Sequence, residues 1–146
     1  SPVVEPAGMQ YLRWALLALV AYSLVAPLVR FASRDVPSDV LALITNGMLA
    51  VAALGVVLVS DSRVLPYLTH PKAPYMYAAG VFLTMGILAY YRALALGPVS
   101  VVVPIFGLFV VTSATLGVAF LDESLTARKL VGVALAVVAI YLTAAE

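Results

Sequence analysis

Residues 40–60 read VLALITNGMLAVAALGVVLVS, an uncharged and mainly apolar run that lies between Asp39 and Asp61. A helix needs about 20 residues to cross a hydrocarbon core roughly 30 Å thick, and this run has that length. Asn46 is the only amide side chain within it. The run therefore predicts a transmembrane helix.

The same pattern recurs along the chain, because the charged residues fall in short clusters that bracket five uncharged stretches of about 16 to 29 residues each. Hydrophobic residues make up 64% of the sequence and charged residues 10%, whereas ordinary soluble domains have about 25% charged residues. The mean hydropathy is +1.12. We predict an all-α, polytopic membrane protein whose five transmembrane helices lie at about 12–31, 40–60, 75–96, 100–121 and 130–143.

The sequence before the first span predicts an N-terminal tail, residues 1–10, because two prolines and a glycine oppose helix formation there. Met9 is a candidate native start, in which case residues 1–8 would not be native. We expect residues 11–146 to form one five-helix membrane domain, since the spans leave no room for a soluble catalytic domain.

The ionisable residues argue against several classes of function. The chain has no cysteine and a single histidine, His70, without an acidic neighbour, so we expect no disulfide, no metal site and no cofactor. We also expect no catalytic residue and no enzyme activity. A net charge of +1 offers no basic surface for nucleic acid. No acidic residue is expected deep in the membrane, where proton-coupled pumps usually need one.

Two prolines interrupt the predicted spans. Pro27 lies in the first span and Pro104 in the fourth. Proline has no N–H, so the carbonyls of Ser23 and Ser100 lose their helical partners. We predict a kink at each proline, and Pro27 fits either a tolerated kink near the membrane surface or a functional hinge.

Polar side chains within the spans are candidates for lining a substrate pocket, because they can hydrogen-bond a small amphipathic solute without burying a charge. The alternative for each is a bond to neighbouring backbone. Asn46 is predicted to make either an interhelical hydrogen bond or a substrate contact. Arg92 either snorkels to the headgroups or faces the cavity and attracts an anionic or zwitterionic substrate. The full set of candidates is Tyr22, Ser23, Asn46, Thr84, Tyr90, Tyr91 and Arg92.

Two stretches resemble the EamA type of the drug/metabolite transporter superfamily. Residues 90–104, YYRALALGPVSVVVP, resemble the junction of the third and fourth helices in that family. Residues 116–126, LGVAFLDESLT, resemble its exit from the fourth helix. The likeness extends over roughly residues 12–145 and implies one five-helix unit, of a kind that mostly occurs as two inverted copies around a central cavity.

The resemblance implies a transporter subunit that moves a small amphipathic metabolite or drug by alternating access, as a dimer of five-helix units. The implied partners are the lipid bilayer, the small-molecule substrate, and either a second copy or a homologous half-transporter. The alternative function is a non-transporting membrane scaffold or accessory subunit that pairs with a homologous partner.

The distribution of Lys and Arg predicts how the protein lies in the membrane. Five spans place the two termini on opposite sides, and positive charge prefers the cytoplasmic side. The N-terminal side collects Arg13, Arg63, Lys72, Arg128 and Lys129, whereas the other side collects Arg30, Arg34 and Arg92. We therefore predict a prokaryotic cytoplasmic membrane protein with its N-terminus in the cytoplasm and its C-terminus outside.

Overall fold

The computed structural model describes residues 7–144, and the side chains of residues 9–143. Within this range the backbone forms helices and connecting turns, without a strand. This confirms the all-α fold. The helices are α1 (Ala7–Ser23), α2 (Val25–Ala32), α3 (Ser38–Ser60), α4 (Leu65–Leu68), α5 (Ala73–Leu96), α6 (Val99–Gly107), α7 (Phe109–Phe120) and α8 (Ala127–Ala144).

Four helical segments are long and apolar enough to cross a membrane: Met9–Ala32, Ser38–Ser60, Ala73–Leu96 and Val99–Phe120. They correspond to the first four predicted spans. The fifth corresponds to α8, whose 18 residues extend over about 27 Å. This is slightly short of a hydrocarbon core of about 30 Å. The chain is an integral membrane protein built from five helical segments.

The first span consists of two helices, because the helical pattern is interrupted at Leu24. The missing N–H of Pro27, three residues later, leaves the Ser23 carbonyl without its helical partner and accounts for the break. α1 begins at Ala7, so residues 7–10 of the predicted tail belong to a helix. Residues 1–6 of that tail lie outside the described residues.

The fourth span is also divided, and the interruption lies at Leu108. Pro104 lies inside α6, before the break. Its missing N–H affects the carbonyl of Ser100, so proline does not account for a break at this position. Gly107 directly precedes the break, and glycine weakens a helix by about 1 kcal/mol relative to alanine. Gly47 and Gly80, however, lie inside unbroken helices, so Gly107 alone does not account for the break either.

The core lies at one end of the bundle, where the end of α2, the start of α3, the end of α5 and the start of α6 meet. Leu94 has no exposed surface. Away from this core, large apolar side chains point outward, as in Val59 with 90% of its surface exposed. Outward apolar side chains suit a lipid environment, because acyl chains are as apolar as leucine. The buried core residues are Ala26, Val29, Leu41, Ala42, Tyr90, Tyr91 and Leu94.

The last helix follows α6 more closely than α7. α8 packs mainly against α6 and only lightly against α7. A Cβ atom added at Gly107, the end of α6, would lie 3.9 Å from Cδ1 of Ile140. Because this contact involves the C-terminal part of α8, the N-terminal part of that helix diverges from α7 and leaves a gap between the two.

Candidate functional site

Two adjoining grooves follow the α3–α5 helix pair. The first, the surface groove, lies at the start of α3, has a volume of about 760 Å³, and takes its polar lining from Ser33, Ser38, Asp39 and Arg92. The second, the inner groove, has a volume of about 430 Å³ and includes Asn46 and Thr84 among mainly apolar residues. Asp39 and Leu88 line both grooves. The two grooves therefore meet at Asp39 and Leu88.

The inner groove extends to about the middle of the membrane. Its lining on α3 runs from Asp39 to Ala50, a rise of about 16 Å along the helix. The hydrocarbon core is about 30 Å thick. Asn46 and Thr84 lie about 10 to 12 Å along their helices from the charged end of the groove. A polar solute in the inner groove would therefore meet an amide and a hydroxyl near the midplane.

Opposite charges lie at the surface end. Asp39 is in the first turn of α3, where the helix dipole favours an anion. Arg92 is on α5, just before its last turn. The Asp39 carboxylate accepts a hydrogen bond from the backbone N–H of Val40 at 2.9 Å. Neither charge forms an ion pair with another residue between positions 9 and 143. Both remain available to a charged solute.

The two polar side chains of the inner groove bond to their own helices. The Asn46 side-chain amide donates to the Ala42 carbonyl at 2.8 Å, and the Thr84 hydroxyl donates to the Gly80 carbonyl at 2.7 Å. Asn46 also contacts the Thr45 hydroxyl at 3.4 Å, again within α3. The predicted interhelical bond of Asn46 is therefore wrong for the part of the chain described. The amide oxygen and the threonine hydroxyl can still accept hydrogen bonds.

The interhelical hydrogen bond belongs to Thr45 instead. Its Oγ1 atom lies 2.8 Å from the hydroxyl of Tyr91 on α5 and also donates to the Leu41 carbonyl at 2.8 Å. A threonine hydroxyl has one proton, so Tyr91 is the donor in the bond that joins the two helices. Tyr91 is 5% exposed, which places this bond in the core.

Four of the predicted lining residues lie outside both grooves. Tyr90 is buried and stacks on Phe106 with ring centroids 4.0 Å apart. Tyr91 is held by Thr45 as described. Tyr22 is exposed on α1, and the Ser23 hydroxyl donates to the Leu19 carbonyl at 2.6 Å. The structure therefore brings only Asn46, Thr84 and Arg92 of the predicted set to the grooves.

Arg30 holds two helix ends together near the surface groove. Its Nη1 atom donates to the carbonyls of Leu94 at 2.9 Å and Ala95 at 3.0 Å. These carbonyls belong to the last turn of α5, where backbone acceptors have no partner within the helix. The guanidinium also suits the negative end of the helix dipole. Arg30 thus fixes α2 to the end of the helix that carries Arg92.

Three residues near the site were not recognised in the sequence as site residues. The sequence indicates Asp39 only as the boundary of a span, and Arg30 only as one of the positive charges that set the orientation. Thr45 was overlooked beside Asn46, although a hydroxyl within an apolar run is itself a signal. For Arg30, the signal was Gly97-Pro98, which ends a helix and leaves terminal carbonyls in need of a donor.

The sequence matches the EamA-like transporter family over residues 9–145. Comparisons with curated proteins and with solved structures gave no significant match. The family match covers nearly the whole sequence and includes every helical segment that could cross the membrane. The resemblance predicted from residues 90–104 and 116–126 is confirmed. The chain belongs to the EamA-like transporter family.

Proposed function

We propose that the protein is a transporter subunit that moves a small amphipathic metabolite or drug by alternating access, paired with a second five-helix unit. Membership of the EamA-like transporter family supports transport as the general function. The two adjoining grooves on the α3–α5 pair carry the more specific proposal.

The linings of the grooves favour a solute with a polar head and an apolar body. The surface groove offers a cation at Arg92 and an anion at Asp39. The inner groove is mostly apolar, with the amide of Asn46 and the hydroxyl of Thr84 as its polar groups beyond Asp39, which it shares with the surface groove. Arg92 would attract the anionic group of an anionic or zwitterionic solute, while the apolar part would lie against leucine and alanine side chains.

The open geometry of the grooves supports pairing with a second unit. Groove-lining residues such as Leu43 and Leu83 are largely exposed, so one unit supplies only part of a wall around a solute. Many transporters are built from two inverted repeats, with the substrate near the bilayer midplane between them. The predicted one-way insertion favours a homologous half-transporter as the second unit. Another copy of this chain could take that place only if part of the population inserts in the opposite direction.

Ligand binding to detergent-purified protein tests this proposal. Amino acids, nucleosides, sugars and cationic dyes would be screened by thermal shift, because a ligand that binds the folded state stabilises it by mass action. We expect a zwitterionic amphipathic solute to raise the melting temperature of the unmodified protein. Arg92→Gln and Asn46→Leu should each reduce that shift. The matched control is Arg34→Gln, an exposed arginine predicted on the same membrane side that lines neither groove.

Transport of the same solute is then measured in liposomes, together with cross-linking. Uptake should require the cross-linkable dimer and should fall in Arg92→Gln but not in Arg34→Gln. Equal binding and equal uptake by both arginine variants would remove the groove from the mechanism. If no solute class stabilises the protein and a homologous membrane protein co-purifies with it, the accessory-subunit alternative is the better description.

A further inference from the structure

A third groove lies between α7 and α8, on a part of the chain that the proposed transport route does not use. It has a volume of about 650 Å³ and a mainly apolar lining. Its apolar lining includes Val111, Ala114 and Val118 on α7, and Val133 and Ala136 on α8. The groove exists because α8 packs against α6 and diverges from α7.

The length of the α7–α8 groove matches one leaflet of a bilayer. Its lining on α7 runs from Val110 to Ala119, a rise of about 14 Å. Half of a hydrocarbon core about 30 Å thick is about 15 Å. The groove ends at the loop that joins the two helices, which lies at the membrane surface because both helices end there. An acyl chain of one leaflet would therefore fit along it.

Two opposite charges lie where the α7–α8 groove meets the surface. A Cβ atom added at Gly117 would lie 2.7 Å from a carboxylate oxygen of Glu123, so this carboxylate rests against the glycine at the end of α7. Lys129 Nζ donates to the Ser124 carbonyl at 3.1 Å, which fixes its ammonium at the same end.

Both charges have free bonding capacity. An ammonium group has three protons, so Lys129 retains two donors beyond its bond to Ser124. Glu123 makes no hydrogen bond or ion pair with the rest of the chain between residues 9 and 143. Carboxylate and ammonium both line the surface end of the groove without forming an ion pair with each other, and a ligand carrying both charges would complement them.

We propose that the α7–α8 groove binds one zwitterionic phospholipid with a primary ammonium headgroup, of the phosphatidylethanolamine type. One acyl chain lies along the groove, the ammonium group contacts Glu123, and the phosphate contacts Lys129. A free solute would not need a groove as long as a leaflet, and an anionic lipid would leave Glu123 facing a negative headgroup. This site is independent of the proposed transport route.

Native mass spectrometry of the purified protein tests the proposal with three lipids of equal chain length: phosphatidylethanolamine, phosphatidylcholine and phosphatidylglycerol. We expect phosphatidylethanolamine to be retained preferentially, since only its headgroup combines a phosphate with a positively charged group that donates hydrogen bonds to a carboxylate. Glu123→Gln should lower this preference over phosphatidylglycerol by about three-fold, the size of one exposed charge interaction. The matched control is Asp61→Asn, a carboxylate predicted on the same membrane side, which should leave the preference unchanged. Asparagine tolerates the left-handed backbone found at Asp61, where φ is 58°.

Three results would overturn the proposal. Equal retention of the three lipids, or a preference that Glu123→Gln and Asp61→Asn reduce alike, would show that Glu123 does not read the headgroup. Binding of soluble phosphoethanolamine, which has no acyl chain, as strong as the binding of the whole lipid would show that the apolar groove does not hold an acyl chain. Loss of dimer, rather than of lipid, in Glu123→Gln would show that a second copy covers the groove.

Discussion

The hydrogen bond between Thr45 and Tyr91 joins α3 to α5 inside the core. Its length of 2.8 Å and the burial of Tyr91 indicate an ordered contact. In a membrane, such a bond contributes about 0.6 kcal/mol on average, because the unfolded chain also finds partners. At the scale of single residues, the bond therefore sets the register of the two groove-forming helices more than it adds to the free energy of unfolding.

Removing the Tyr91 hydroxyl tests that reading. We expect Tyr91→Phe to lower the free energy of unfolding by about 0.6 kcal/mol, measured by SDS titration in mixed micelles. In a double-mutant cycle with Thr45→Val, the two losses should not add, because both remove the same bond. The control is Tyr22→Phe, which removes the hydroxyl of an exposed tyrosine on α1. Additive losses, or equal effects of the two tyrosine variants, would contradict a specific bond.

At the scale of helices, Arg30 links the end of α2 to the end of α5. One guanidinium nitrogen satisfies two terminal carbonyls, those of Leu94 and Ala95. A hydrogen bond from a charged donor contributes about 1.5 to 3 kcal/mol. The break at Leu24 separates α2 from α1, so the Arg30 link holds only the second half of the first span. α1 is left with no described side chain in the core.

Replacing Arg30 should release this link. We expect Arg30→Gln to lower the free energy of unfolding by about 1.5 to 3 kcal/mol, and Arg30→Lys to lose less because it keeps a donor and the charge. The same micelle titration measures both. Arg34→Gln serves as the control, since Arg34 is exposed and lies over the Phe31 ring at 5.1 Å rather than on a helix end. A loss in Arg34→Gln as large as in Arg30→Gln would show that the loss of a positive charge, and not of the Arg30 link, lowers the free energy of unfolding.

At the scale of the whole molecule, the buried residues gather toward the surface where α2 and α5 end and α3 and α6 begin. The helices are fixed to one another there and are largely exposed elsewhere. A single unit is thus well packed at one membrane surface and loosely packed at the other. The apolar surface away from the core is left for lipid to cover and, under the proposed pairing, for a second unit.

The direction in which the unit inserts is a prediction at this same scale. Reporters fused to the two ends should lie in opposite compartments, with a cytoplasmic fluorescent protein active at the N-terminus and a periplasmic phosphatase active at the C-terminus. The excess of Lys and Arg on the N-terminal side is the physical reason. Replacing Arg128 and Lys129 with glutamine should shift part of the population to the inverted orientation. Replacing Arg30 and Arg34 with glutamine should not increase the inverted fraction. Both reporters active in one compartment would contradict five crossings.

The spans could be predicted from the sequence, because an uncharged apolar run of sufficient length has few alternatives to a membrane helix. Asn46, Thr84 and Arg92 stood out because polar side chains are rare in such runs, and they line the two grooves. Their contact with a substrate stays a prediction. The structure places Tyr90 and Tyr91 in the core and outside both grooves. The sequence could not predict this, since the direction in which each side chain points depends on the packing of α3, α5 and α6. That packing also determines which partners Thr45 and Arg30 meet, so sequence periodicity could not supply them. The break at Leu108 could not be predicted either, since neither the proline nor the glycine before it alone accounts for it.

The crowding of the core at one membrane surface has a mechanical consequence. α3 has 23 residues and is about 35 Å long, and its buried residues, Leu41 and Ala42, lie near one end. If α3 tilts as a rigid body, it would therefore pivot at that packed end, and the opposite end would move most. A tilt of about 10° around these residues would displace the far end, about 28 Å away, by about 5 Å, while the atoms at the packed end would hardly move. Such a tilt would widen the space beside the far end of α3 without breaking the contacts at its packed end.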